Sequence, residues 1–230
     1  MVSKRMKALY AKNLEQKKFT SLEDVIEEIQ SNSTAKFNES IDIVVKLGIN
    51  PRKSEENVRG TFILSHGVSK KVKIAAFVSD SMKEEVKAAG ADIIGLEDLV
   101  DDIKQDGKIN FDICFTTVEF LPKIVPIAKL LGQGGVMPNK KDGTVTVDII
   151  KAIQDAKEGK KCNFKNDPAG YLQLSIGKVQ MDKQKITQNI NEFISYIKGL
   201  KPPKVKEMIL NVSISSTMGI GLKIPMRLFK

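Results

Sequence analysis

Ser40-Ile-Asp-Ile-Val-Val-Lys-Leu-Gly48 alternates polar and apolar side chains, which puts Ile41, Ile43, Val45 and Leu47 on one face of an extended strand. A lone amphipathic strand has nothing to bury that face against, and residues 1–67 hold no second clear long strand. Two helical patterns precede it, at about 3–17 and 21–31. The second starts after Thr20 or Ser21, with Glu23 and Asp24 in its first turn. Comparable alternation returns only near the other end, at Gly170–Val179 and Met208–Ser216. Between those two runs, helical spacing links Ile186, Ile190, Phe193, Ile194 and Ile197 over Asp182–Lys198. The two ends therefore complete each other. The sequence predicts one discontinuous α+β domain from 1–67 plus 160–230, a sheet with helices on one side.

The intervening residues 68–159 read as a different class. Lys71–Val78 is an almost uninterrupted apolar strand, as expected for burial on both faces. Helix Ser81–Ala89, short strand Ala91–Ile94, helix Leu96–Gln105 and strand Phe111–Thr117 follow. A Pro-containing helix runs through Leu131, and a last helix covers about Val147–Lys157. Strand–helix alternation implies parallel pairing, hence an inserted three-layer, Rossmann-like α/β domain. Two hinge strands near Ser65–Val68 and Gly159–Lys161 would join it, with Ser65, His66, Gly67 and Gly159 as the hinge residues.

Charge follows the same division. The 230-residue chain has a net charge of +9. Residues 68–159 contain 13 Lys/Arg and 15 Asp/Glu, a net of −2, so the two ends together carry +11. That asymmetry turns the ends toward a polyanion. No apolar run is long enough to span a bilayer and no secretory segment stands out, so the expected location is the cytoplasm, away from membranes. Cys114 and Cys162 lie far apart without CxxC or histidine neighbours and read as free thiols.

No catalytic constellation is complete in the sequence. His66 is the sole histidine; it follows Ser65, but no carboxylate is placed by sequence to orient it as a base. Gly132-Gln-Gly-Gly135 follows a helix and leads into Val136-Met137-Pro138, whereas a phosphate loop needs a strand before it and Lys-Ser/Thr within it. After the first inserted strand, where a dinucleotide fingerprint belongs, stands Ser79-Asp-Ser-Met82. Asp101 and Asp102 read as a solvated helix face, and no metal-ligand spacing occurs. The reading is of a binding protein with no catalytic residue, metal or cofactor; a nucleotide-binding α/β enzyme is the weaker alternative.

Four stretches resemble the large-subunit ribosomal protein one family, whose members form the ribosome's lateral stalk. They are Lys36-Phe-Asn-Glu-Ser40, Gly60-Thr61 with Ser65-His-Gly67, Leu131-Gly-Gln-Gly-Gly-Val-Met-Pro-Asn-Lys-Lys-Asp-Gly-Thr144, and Ser215-Ser-Thr-Met-Gly-Ile-Gly-Leu-Lys-Ile224. Gly90-Ala-Asp-Ile-Ile-Gly95 and Gly177-Lys178 extend the likeness to most of the chain. It departs at Ser40, where the family usually has Thr, and at Ile220, where it commonly has Pro. In the middle loop it has Gly132-Gln-Gly-Gly135 in place of Gly-Pro-Arg-Gly.

The resemblance implies a two-domain protein, bacterial in type and monomeric when free, that binds a helical junction of stalk rRNA through its end domain. It further implies a swinging arm that helps deacylated tRNA leave the exit site, and repression of the protein's own operon mRNA. Carried onto matching positions, the RNA-contacting residues are Lys36, Phe37, Ser40 and Asp42, then Ser213, Ser215, Thr217, Met218, Gly219 and Gly221. Lys46, Lys165 and Lys223 would add phosphate contacts. Short hydroxyls suit the ribose-lined shallow groove of RNA, where long side chains would hold the backbones apart.

Overall fold

The computed structural model describes residues 4–11, 19–68, 72–107, 109–201, 205 and 207–229. The tail of the first predicted helix, residues 12–17, and Lys71 of the first inserted strand lie outside them. The fold is mixed α/β. The backbone separates into two compact units, Met1–Val68 with Cys162–Lys230, and Ser69–Lys161.

The first unit is built on an antiparallel sheet of β1 (Ser40–Leu47), β7 (Tyr171–Lys178), β8 (Ile209–Ser216) and β9 (Leu222–Ile224), in the order β7-β1-β8-β9. Ile41, Ile43, Val45 and Leu47 are buried as their alternation requires, and β1 is the strand flanked by partners from the far end of the chain. Below this face pack α2 (Leu22–Asn32) and α8 (Lys183–Gly199). The start of α2 is fixed by a capping box: Ser21 accepts the Asp24 N–H while the Asp24 carboxylate accepts the Ser21 N–H. The Thr20 hydroxyl, followed by Ser21, donates to that carboxylate and holds its pKa below the ordinary value. Helix α1 (Lys4–Ala11) adds Leu9 to the same core.

Three short elements differ from the sequence reading in bounds or were not assigned by it. Strands β2 (Arg59–Ile63) and β6 (Lys161–Lys165) form a separate two-stranded ribbon, and β9 is only three residues long. No strand occupies Ser65–Val68; the paired segments lie just before it and after Gly159. Runs this short carry too few alternations for periodicity to register. The ribbon is held by rings: Phe62 and Phe164 both lie against Phe193 of α8, at centroid distances of 5.5 and 5.9 Å.

Ser65 and His66 are docked on α8. The Ser65 hydroxyl donates to Glu192 at 2.6 Å, the His66 ring meets Gln188 at 3.0 Å, and the His66 N–H donates to Asn189 Oδ1. Asn189 is fully buried and its amide donates to the carbonyls of His66 and Ile176. Asn189→Ala leaves three backbone groups unpaired, so we expect about 2 kcal/mol of lost stability, read as a lower urea midpoint at unchanged m.

The second unit has a parallel sheet of β3 (Ile74–Phe77), β4 (Ile93–Gly95) and β5 (Ile113–Thr116), in the order β4-β3-β5. All four β3 residues are fully buried. One face packs on α3 (Lys83–Ala88) and α7 (Ile149–Lys157), the other on α4 (Glu97–Asp106), α5 (Leu121–Ile124) and α6 (Ala128–Gln133). The single predicted helix before Leu131 is divided into α5 and α6 by a 3-10 turn at Val125–Ile127, because Pro126 lacks the N–H that a continuous helix needs. The glycine run closes α6. Gly135 is left-handed at φ 70°, and the Val136 N–H returns to the Leu131 carbonyl at 3.0 Å, a helix stop and not a phosphate cradle. Gly159 ends α7 in the same way, at φ 68°, with Lys160 N–H on the Asp155 carbonyl. No described helix is long and apolar enough to cross a membrane.

Candidate nucleic-acid interface

The face of the four-stranded sheet opposite α2 and α8 carries Ser40, Asp42, Val44 and Lys46 on β1. Beside them stand Tyr171, Gln173 and Ser175 on β7, Asn211, Ser213 and Ser215 on β8, and Lys223 on β9. All are half-buried or exposed. Asp42 pairs with Ser215 on one side and Ser175 on the other, and Val44 with Ser213 and Gln173. The surface is thus mostly short hydroxyls and neutral amides, the group set that suits a ribose-lined surface.

One corner of this face is fixed by cross-links between β1 and the end of β8. The Thr217 N–H donates to the Ser40 carbonyl at 3.0 Å, and the Thr217 hydroxyl accepts the Ser40 N–H, also at 3.0 Å. Part of that hydroxyl's capacity is therefore committed to the fold, which residue type alone cannot reveal. Beneath it lies Glu39, fully buried. Its carboxylate accepts the Ser33 hydroxyl at 2.5 Å, the Met218 N–H at 2.9 Å and the Ala35 N–H at 3.3 Å. Burial pushes the Glu39 pKa up, but these donors, joined by the Ser216 hydroxyl, outweigh it and hold the carboxyl below its ordinary value. The Arg5 guanidinium donates to the Met218 carbonyl and to Thr34 Oγ1. Both polar backbone groups of Met218 are thus held, and its side chain is turned outward.

The side chains presented at this corner are unusual for a surface. Phe37 is 55% exposed and Met218 49%. The sequence left open whether Phe37 belongs to the core; it does not. Lys36 is exposed beside it, and Lys178 reaches Ser40 Oγ at 2.7 Å. Gly219 has an internal reason to be glycine, since a Cβ there would meet Ser216 Oγ at 2.4 Å. Gly221 has none: a Cβ would meet nothing within 4 Å, and its φ is not positive. Ile220 is buried, so core packing holds the loop where the family commonly has proline.

Of the predicted contact residues, Lys36, Phe37, Ser40, Asp42, Lys46, Ser213, Ser215, Thr217, Met218, Gly219, Gly221 and Lys223 gather on this face or its Ser40–Thr217 corner. Lys165 does not. It is exposed on the β2–β6 ribbon, outside the four-stranded sheet, because the strand it belongs to pairs with β2 and not with β1. Sequence reasoning gave no role to Glu39, Arg5, Lys178 or Tyr171, although Glu39 and Lys178 stand inside matched stretches.

A family model described as the ribosomal protein L1p/L10e family matches residues 15–220. The chain is 44% identical over 200 residues to the large ribosomal subunit protein uL1 of Wolbachia pipientis wMel, covering 86% of this chain and 92% of that protein. It is 37% identical over 224 residues to the large ribosomal subunit protein uL1 of Laribacter hongkongensis (strain HLHK9), covering 97% and 95% respectively.

Proposed function

The chain belongs to the ribosomal protein L1p/L10e family, a family of ribosomal structural proteins and not of enzymes, and from that premise we propose that it binds the rRNA of the large subunit's lateral stalk through the open face of its four-stranded sheet. The observation that carries this reading is the Ser40–Thr217 corner, where a buried carboxylate and an arginine hold a loop whose apolar side chains point to solvent. An intramolecular role accounts for Glu39 and Arg5 but not for the outward Phe37 and Met218 or the vacant space at Gly221. Ribose and an exposed base supply the missing apolar partner, and close backbone approach supplies the reason for glycine. Lys36, Lys46, Lys178 and Lys223 surround this surface and add a salt-dependent phosphate term.

In the same reading the protein works on the ribosome, in the cytoplasm. Residues 68–159 form the arm that helps deacylated tRNA leave the exit site, pivoting on Ser65, His66, Gly67 and Gly159. The open face also takes a similar fold in the protein's own operon mRNA and represses its translation. The shared chemistry of two RNA junctions supports that second ligand; competition between the mRNA leader and the stalk transcript for one site tests it.

The deciding measurement is a filter-binding titration of a stalk-junction rRNA transcript against a generic duplex of equal length, across a salt series. A stalk complex that persists where the generic one dissolves upholds the reading. Equal affinities falling together with salt overturn it, since only the basic charge would then be acting. Gly221→Ala sharpens the result. Its thermal midpoint should match the wild type while stalk affinity drops by roughly 1–2 kcal/mol, the scale of a small steric misfit in a packed contact. Unchanged affinity would remove Gly221 from the interface.

A further inference from the structure

The open face carries a cation–aromatic pair at the end opposite Lys36 and Phe37. Lys46 Nζ stands 4.7 Å from the centroid of the Tyr171 ring and 3.2 Å from its hydroxyl. Lys46 and Tyr171 are paired across β1 and β7, six residues along β1 from Ser40, a distance of roughly 20 Å in an extended strand. Among the described residues no carboxylate pairs with Lys46; its partner is the ring.

The backbone that presents the ring is fixed in advance. Asp167 Oδ1 accepts the N–H groups of Ala169 and Tyr171 at 3.0 and 2.7 Å, and the Leu47 N–H donates to the Gly170 carbonyl at 2.9 Å. Between the two ends lie Gln173, Ser213 and Ser215, with Ser175 Oγ covered yet without a hydrogen-bond partner among the described residues. A half-buried ring capped by an unneutralised ammonium is a poor way to close a core and a good platform for a nucleotide. The ring offers a face to a ribose or unstacked base, and the ammonium takes the neighbouring phosphate.

We propose that Tyr171 and Lys46 form a second RNA subsite, so that bound RNA runs the length of the open face from the Ser40–Thr217 corner to this pair. The inference rests on the stalk-RNA reading above and names a contact that the family motifs do not cover.

The test uses the full-length protein and the stalk-junction rRNA transcript. Tyr171→Leu should lower affinity about tenfold, while Tyr171→Phe, which keeps the ring, should stay within about threefold of the wild type. Lys46→Met should flatten the log affinity–log salt slope by about one phosphate's worth. Hydroxyl-radical footprinting of the wild-type complex should show two protected clusters of riboses, of which Tyr171→Leu loses one. Met218→Ala serves as the control for the first corner. If Met218→Ala weakens binding while Tyr171→Leu does not, and footprinting shows a single cluster, the second subsite is wrong and the stalk reading stands. If the wild type shows no preference for the transcript, both fall. Should Tyr171→Leu fail to fold, the wild-type footprint and the Lys46→Met slope decide the matter alone.

Discussion

Glu39→Ala is expected to lower the stability of the first unit by about 3–4 kcal/mol and, on the proposed stalk-RNA reading, to weaken binding with it. The carboxylate is fully buried and accepts from Ser33, Ala35, Ser216 and Met218, so its removal strands at least the two backbone donors, each at a cost of roughly 1–3 kcal/mol before relaxation. The Met218 loop then loses the anchor of its N–H and keeps only the Arg5 contact at its carbonyl. Glu39→Gln retains an acceptor oxygen and should cost less. Acid titration separates the variants. Because the folded-state pKa of Glu39 is depressed, its contribution is present above the unfolded value, near 4.3, and is lost as pH falls through the folded value. Urea midpoints of the wild type should decline over that window more steeply than those of Glu39→Gln. Parallel curves would mean that the carboxylate charge adds nothing to the anchor.

Phe193→Ala is expected to cost about 3–5 kcal/mol, the usual scale for deleting a buried phenylalanine ring. Phe193 is fully buried on α8 and touches Phe62 of β2 and Phe164 of β6, which also meet Tyr196 in tilted and edge-on contacts. It is the buried one of two rings, with Tyr196, through which the ribbon is packed onto the helix that underlies the main sheet. Phe193→Leu, which fills more of the cavity, should recover about half of the loss. A fall in thermal midpoint of under 2 °C for the alanine variant would show that the ribbon is not packed through this ring.

The larger elements were legible because they are long and strongly periodic. The alternations at Ser40–Leu47, Tyr171–Lys178 and Ile209–Ser216 need only the pleat to sort their faces. The all-apolar run at Ile74–Phe77 needs only burial on both sides. The bounds and pairing of the ribbon strands, and β9 altogether, were not legible, since three to five residues give no usable period. Lys165 shows the consequence: its basic character was plain, but its position depended on β6 pairing with β2.

At the candidate interface the motifs singled out chain segments that the fold brings together, without dividing their labour. Thr217 looked like a free hydroxyl for a ligand, yet it closes the β1–β8 corner on Ser40. Phe37 had the composition of a core residue and stands half exposed. Glu39 had the composition of a surface acid and is completely enclosed. Local patterning by itself determined the long strands and helices, the basic ends, the parallel middle and the family, because periodicity, charge and motif spacing are properties of neighbours along the chain. Which residues meet across β7, β1 and β8, which hydroxyls are already engaged, and which apolar side chains are left facing water were decided only by the tertiary structure, because burial and hydrogen bonding depend on partners more than a hundred residues away.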